Sequence, residues 1–235
     1  MSEGGTQKAV MLDANQAYAR WAPSYDRTPN PLLALEEQLL TPILGTLAGG
    51  NFVELGCGTG RWLRLLEGMS MRSITGVDSS PEMLAEAEKN CLSSTVLIEA
   101  DCTSSAVPDE SADCVLVSFV LSYIRDLERF ATESARILRP GGTLIISDLH
   151  PNTPFYGWRR TFRAAGELFE VATFPYTLSD LVTAMSASGL MLLYLNEASF
   201  SEEQEAIFRA NGMLDTFHQV ESLPVIYWTR FSRVN

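Results

Sequence analysis

The sequence predicts an α/β fold built on a mostly parallel, twisted sheet with helices on both faces, and three observations predict it. Strand-like apolar runs at about 52–55, 74–77, 95–98, 113–118 and 143–148 alternate with helical patterns. The first of these runs passes directly into a glycine-rich turn and then a helix, in Phe52-Val53-Glu54-Leu55-Gly56-Cys57-Gly58-Thr59-Gly60-Arg61-Trp62. A chain of 235 residues with 46% hydrophobic content can bury one full core and leaves no room for a second independent domain.

Taken in order, residues 1–10 mix Gly, Ser, Glu and Lys without periodicity and read as a flexible N-terminus. Pro81 stands at a first helical position behind the cap candidates Ser79 and Ser80, and Glu82 adds a favourable charge to that first turn. Ile124, Leu127, Ala131, Ala135 and Leu138 recur at helical spacing, and Pro140-Gly141-Gly142 ends the pattern. Beyond Asp148 the alternation breaks, and residues 149–176, with Pro151, Pro154, Pro175 and many aromatics, read as an insertion. A helix from about Ser179 to Ser188 and strands near Met191–Leu195 and Val225–Phe231 follow. Between those strands a second insertion, about 199–223, carries the helical run Glu202–Phe208 and is assigned to the substrate side or to a subunit contact that would make a homodimer.

The glycine turn carries the first chemistry. Without a Cβ, Gly56, Gly58 and Gly60 can reach positive φ and let a nucleoside cofactor approach the main chain at a helix N-terminus. Glu54 lies inside the strand, where a carboxylate is costly unless it meets a donor. The spacing is G-x-G-x-G; a dinucleotide fingerprint would need its third glycine at 61, which is Arg, and this opposes a nucleotide-dependent oxidoreductase.

Further motifs follow in order: Ile74-Thr75-Gly76-Val77-Asp78-Ser79-Ser80-Pro81-Glu82-Met83-Leu84, Leu97-Ile98-Glu99-Ala100-Asp101-Cys102, Asp113-Cys114-Val115-Leu116-Val117-Ser118 and Leu138-Arg139-Pro140-Gly141-Gly142-Thr143-Leu144. Asp78 is 78 − 56 = 22 residues past the first glycine, about where a βαβ unit places a ribose-binding carboxylate. With the glycine turn, these resemble the class I (Rossmann-like) S-adenosylmethionine-dependent methyltransferases of the small-molecule type, strongly over residues 50–150. The resemblance implies seven strands with the last antiparallel, S-adenosyl-L-methionine as cofactor and S-adenosyl-L-homocysteine as product. It implies that Glu54 organises the glycine loop and the methionine amino group, and that Gly56, Cys57, Gly58 and Gly60 back the methionyl and ribose parts. Asp78 and Ser79 would face the ribose, Met83 the adenine face, Asp101 and Cys102 the adenine edge, and Ser118 the methionine moiety. Tyr18-Ala19-Arg20-Trp21-Ala22-Pro23-Ser24-Tyr25-Asp26 resembles the family's N-terminal lid, within lid helices over 11–48 ahead of a methyltransferase domain over 49–235. There Tyr25 would cover the methionine end, with Tyr18 and Trp21 behind it and Tyr123 on the substrate side.

His150 falls just beyond the fifth strand, at the sheet end where ligands bind in open α/β folds, and is the candidate general base and substrate contact; Asp148 competes for the role, and His218 is assigned to the surface. Phe155-Tyr156-Gly157-Trp158-Arg159-Arg160-Thr161-Phe162-Arg163 sets guanidinium groups among aromatics, which suits an apolar acceptor bearing a carboxylate or phosphate, and nominates Trp158 and Arg159 as substrate contacts. A net charge of −12 and a pI near 4.6 oppose nucleic-acid binding. Cysteines 57, 91, 102 and 114 form no C-x-x-C pair, so no metal site is expected. The longest apolar run, Cys114 to Ile124, is too short to span a bilayer, so a cytoplasmic protein without membrane attachment is expected. Oxygen, nitrogen and carbon acceptors remain open, as does a SAM-binding partner subunit without activity.

Overall fold

A computed structural model describes residues 8–27 and 29–234, so most of the predicted N-terminal tail, residues 1–7, lies outside the described residues. The elements run β1 (Val10–Leu12), α1 (Ala14–Trp21), a 3-10 turn (Ala22–Arg27), α2 (Pro31–Gly45), β2 (Asn51–Leu55), α3 (Arg61–Glu67), β3 (Ser73–Asp78), α4 (Pro81–Asn90), β4 (Val96–Glu99) and β5 (Ala112–Ser118). They continue α5 (Leu127–Ile137), β6 (Leu138–Leu149), β7 (Thr161–Ala164), β8 (Glu167–Val171), α6 (Leu178–Ala187), β9 (Leu190–Ala198), α7 (Glu202–Ala210), α8 (Leu214–Val220) and β10 (Ile226–Arg233).

Seven strands form one sheet in the order β4-β3-β2-β5-β6-β10-β9, with β10 antiparallel to both of its neighbours and the other pairs parallel. Because side chains alternate across a strand, each central strand feeds two cores. Val53, Leu55, Val115, Val117, Leu144 and Ile146 pack with Phe130 of α5 and Leu181 and Met185 of α6 on one face. Phe52, Cys114, Leu116 and Ile145 pack with Leu40 and Leu44 of α2 and Trp62, Leu63 and Leu66 of α3 on the other. Strands covered on both faces read as near-continuous apolar runs, which is why the sequence reveals them. Among the described residues no helix is long and apolar enough to cross a membrane.

Three features depart from the sequence reading. Val10, assigned to the loose tail, begins β1, which pairs in parallel with β8 through Val10↔Phe169. Pro140-Gly141-Gly142 does not separate helix from strand: β6 starts at Leu138, and the turn is absorbed as a register shift between Ala112↔Leu138 and Cys114↔Thr143, with Gly141 at φ +77°. The first insertion contains the hairpin β7–β8, closed by Ala165 (φ +50°) and Gly166 (φ +83°). Two consecutive positive φ values make a type I′ turn, and Ala-Gly lacks the Asn or Asp that usually announces one.

On α5, Glu133 accepts bonds from Ser105 N (2.6 Å) and Arg136 Nε (2.8 Å). Burial opposes its ionised form, but the bonds from Arg136 and Ser105 outweigh that and hold the carboxyl at about 2. A folded-state value below the unfolded one gives stability that is present above pH ~4.3 and is lost as the pH falls towards the folded value. Glu133→Gln is therefore expected to lose about 1–3 kcal/mol at neutral pH. Denaturant unfolding should show the gap to wild type closing as the pH is lowered from neutral; a gap independent of pH would assign the loss to shape rather than charge.

Candidate functional site

The chain leaves β2 towards β3 on one side, and β5 joins from the other, so the carboxyl ends of these strands open a crevice. A cavity of about 580 Å³ occupies it. Its floor is Gly56 and Gly58 after β2, Asp78 and Ser79 after β3, Ala100–Cys102 after β4, and Ser118 at the end of β5; α1 and the following turn roof it with Asn15, Tyr18 and Tyr25. Asn15 Oδ1 accepts from Ser79 Oγ (2.8 Å) and Asp26 Oδ1 from Thr59 Oγ1 (3.1 Å), so the roof is tied to the floor at two points.

All three glycines of the turn have positive φ, but for different reasons. A Cβ at Gly56 would lie 2.3 Å from Val120 Cγ2, and one at Gly60 would lie 2.7 Å from Cys91 Sγ. At Gly58 a Cβ would meet nothing within 4 Å, because this residue faces the cavity. The turn's amides are largely spent within the protein: Gly56 N and Cys57 N donate to Val77 O (2.7 and 3.0 Å), and Gly58 N donates to Asp78 Oδ2 (2.8 Å).

Asp78 thus clamps the glycine turn, and its Oδ1 also accepts from Ser80 N (2.9 Å). Burial pushes its carboxyl upward against these backbone bonds. A carboxylate has about four acceptor positions, so two filled ones leave capacity for hydroxyl donors. Ser80, with its side chain accepting from Met83 N, caps α4. Met83 is both buried and part of the cavity wall, so one side chain packs the core and lines the cavity. Asp101 begins a turn by accepting from Thr103 N (2.7 Å) and also lines the cavity beside Cys102, whose thiol burial raises to about 12.

Three expected cofactor contacts stand behind the wall instead of on it. Cys57 is buried next to Gly76, Gly60 faces α4, and Glu54 lies under the turn. Burial raises the Glu54 carboxyl well above its ordinary range, and Glu54 Oε2 is buried with no hydrogen-bond partner among the described residues. Such an orphaned acceptor suits a cationic amino group brought to the turn. The cavity wall itself carries Asp13, Asp78, Asp101 and Asp126 against Arg125 and Arg129, an acidic excess that suits a sulfonium and an ammonium.

One polar centre escaped the sequence reading, and of a second the sequence named Asp148 as a competing base but not its pairing with Arg160. Glu36 of α2 is fully buried and accepts from Arg61, Ser147, Ser118 Oγ (2.8 Å) and Trp62 Nε1 (3.2 Å), which ties α2 and α3 to the ends of β5 and β6. Its signal was position: it lies four residues before Leu40 and eight before Leu44 on the buried stripe of an apolar helix. Asp148 is likewise buried, and it accepts from Arg160 Nη2 (2.7 Å) and Ser122 N (3.0 Å). Arg160 lies over the rings of Phe119 and Tyr123 at 5.5 and 5.2 Å.

A second chamber of about 550 Å³ shares Tyr18, Tyr25 and Phe119 with the first cavity. Trp21, Trp158 and Arg159, all expected on the substrate side, line it, and Trp21 stacks on Phe162 at 4.6 Å. Tyr123 stays on the wall of the first cavity, where its hydroxyl accepts from Tyr18 Oη (2.8 Å).

His150 lines neither of these two spaces but a third cavity of about 320 Å³, which shares Leu149, Gly157, Trp158, Arg159 and Arg160 with the second chamber. Its Nδ1 accepts from Asn152 N (3.1 Å), so the ring hydrogen is on Nε2, 2.7 Å from Glu197 Oε1. With both nitrogens engaged and the side chain buried, the imidazole has no lone pair to offer an acceptor. Position after the fifth strand predicted the right end of the sheet, but β10 and β9 pack against that residue. His218 is exposed, as its place in the second insertion suggested.

Residues 53–146 match the methyltransferase domain family. A demethylmenaquinone methyltransferase of Tropheryma whipplei (strain Twist) is 30% identical over 153 residues, which span 61% of this chain and 64% of that protein, a little under two thirds of its length. An S-adenosylmethionine-dependent methyltransferase from Mesorhizobium loti superposes with a TM-score of 0.67 at 22% identity, covering 84% of this chain and 97% of the other. The N-methyltransferase NodS from Bradyrhizobium japonicum WM9, solved with S-adenosyl-L-homocysteine, gives a TM-score of 0.65 at 18% identity over 95% and 100% of the two chains. The strand order, the glycine turn at the cavity and the superpositions converge on the class I, Rossmann-like methyltransferase fold, and residues 53–146 carry a methyltransferase domain.

Proposed function

We propose that the chain transfers the methyl group of S-adenosylmethionine to a small, largely apolar acceptor. The observation that carries this reading is the pair of adjoining cavities with Tyr18, Tyr25 and Phe119 as their common wall, one acidic and behind the glycine turn, the other lined by Trp21, Leu32, Leu33 and Trp158. Methyl displacement needs acceptor, methyl and sulfur in line and water kept out, which two chambers meeting at an aromatic partition supply. In this reading Gly56, Gly58, Asp78, Ser79, Met83, Asp101, Cys102, Ser118 and Tyr25 contact the cofactor, and Tyr18, Trp21, Trp158 and Arg159 the acceptor. The relative from Tropheryma whipplei carries the name of an enzyme acting on demethylmenaquinone, which supports an apolar acceptor here.

Calorimetric titration should show S-adenosylmethionine and its demethylated product binding with Kd values in the micromolar range. Saturable binding of a nicotinamide dinucleotide and of neither sulfur ligand would overturn the reading. Asp78→Ala is expected to weaken cofactor binding about 10- to 100-fold, since it removes charge-assisted bonds to hydroxyls and releases the Gly58 amide. Unchanged binding in that variant would move the ribose site elsewhere.

A further inference from the structure

We propose that the acceptor carries an anionic oxygen on an apolar body, and that Arg160 on the wall of the second chamber is the residue that selects it. The proposal rests on the reading above that this chamber takes the acceptor. Although the chain has a net charge of −12, the charged residues lining this chamber are Arg159 and Arg160, with no Asp, Glu, Lys or His among the described lining residues. The cofactor cavity next to it has the opposite balance, four aspartates to two arginines. Two adjoining spaces of opposite sign suit a cationic methyl donor and an anionic acceptor.

Arg160 is also incompletely satisfied. Nη2 is held by Asp148, but Nε is buried without a hydrogen-bond partner among the described residues. Besides Asp148, the titratable groups that face it are the phenols of Tyr123, Tyr18, Tyr25 and Tyr227. Asp148 fixes the guanidinium from one side, and the planar fork retains donors in geometry suited to a carboxylate or an enolate. Arg159 is a weaker candidate, since it is largely exposed and pairs with Glu170.

An anionic acceptor also matches the engagement of His150 elsewhere. Its electron pair forms the bond to the methyl carbon, the pair of the breaking carbon–sulfur bond stays on sulfur, and the charges of acceptor and sulfonium cancel. No proton has to leave before transfer, so no base is required in the chamber.

The test uses the full chain saturated with S-adenosyl-L-homocysteine and isothermal titration with paired probes. 2-Naphthoate is set against neutral 2-naphthamide, and the enolate of 2-hydroxy-1,4-naphthoquinone against neutral 1,4-naphthoquinone; the tighter anion identifies the oxygen acid. Wild type is expected to prefer at least one anion over its neutral partner by about 10- to 100-fold, the scale of a hydrogen bond to a charged group. The double variant Asp148→Asn/Arg160→Gln leaves no unpaired buried charge, so it should bind S-adenosyl-L-homocysteine as wild type does while its anion preference falls to within about threefold. Arg160→Lys should restore part of the preference. Equal binding of anion and neutral probe in wild type, binding of neither anion, or a preference that survives in the double variant would overturn the proposal. Any of these with intact S-adenosyl-L-homocysteine binding sinks this inference alone, whereas loss of sulfur-ligand binding in wild type sinks the functional reading beneath it.

Discussion

Gly58→Val is expected to abolish cofactor binding, a loss of at least 10³-fold, while the sheet still folds. The space in front of Gly58 is empty of protein for 4 Å, so the two methyl groups of valine would occupy the cavity and not the core. The residue holds φ +53°, which a β-branched side chain resists at a cost on the order of 1–3 kcal/mol. Gly56→Ala and Gly60→Ala serve as contrasts, because their new methyls would strike Val120 and Cys91 and so affect folding first. Titration with S-adenosyl-L-homocysteine beside far-ultraviolet circular dichroism separates the outcomes, and near-normal binding by a folded Gly58→Val would remove the turn from the site.

The other large effect is on stability. Glu36→Ala should cost about 3–5 kcal/mol, because the guanidinium of Arg61 and the donors of Trp62, Ser118 and Ser147 would be left in the interior without their shared acceptor. For a chain of this size that corresponds to a fall in Tm on the order of 10 °C. The apolar pair Glu36→Leu/Arg61→Met should recover part of the loss, since it removes both buried charges and leaves only the neutral donors of Trp62, Ser118 and Ser147 without their acceptor. Scanning calorimetry decides: a fall below about 2 °C in the single variant would mean that water satisfies these groups.

The frame of the fold was legible because its signals are local. Val53, Leu55, Val115 and Leu116 announce strands by apolar continuity, Gly56, Gly58 and Gly60 announce a turn by their missing Cβ, and Pro81 behind Ser80 announces a helix start. The cavity floor followed from these, and Asp78, Ser79, Met83, Asp101 and Ser118 all reach its wall. What escaped was set by partners far along the chain. Glu36 meets Ser147 across 111 positions, and nothing near either residue marks the pairing. His150 was placed at the proper end of the sheet, yet its chemistry is decided by Glu197, on a strand whose neighbours the local sequence does not specify. Cys57 and Gly60 do not line the cavity because adjacent positions in a tight turn face opposite ways, and Glu54 because it lies within β2 beneath that turn; composition does not tell which way each one points.

The small sheet of β1, β8 and β7 joins two parts of the chain that are distant in sequence. β1 leads straight into the roof helix α1, and β8 ends at Val171, whose amide donates to Arg160 O (2.8 Å). Lifting the roof from one compartment therefore pulls on the backbone that positions Arg160 in the other. In the reading proposed above, the two ligands would then be linked by more than their contact at the reacting methyl: through this backbone each would change the affinity for the other, and by thermodynamic reciprocity by the same factor.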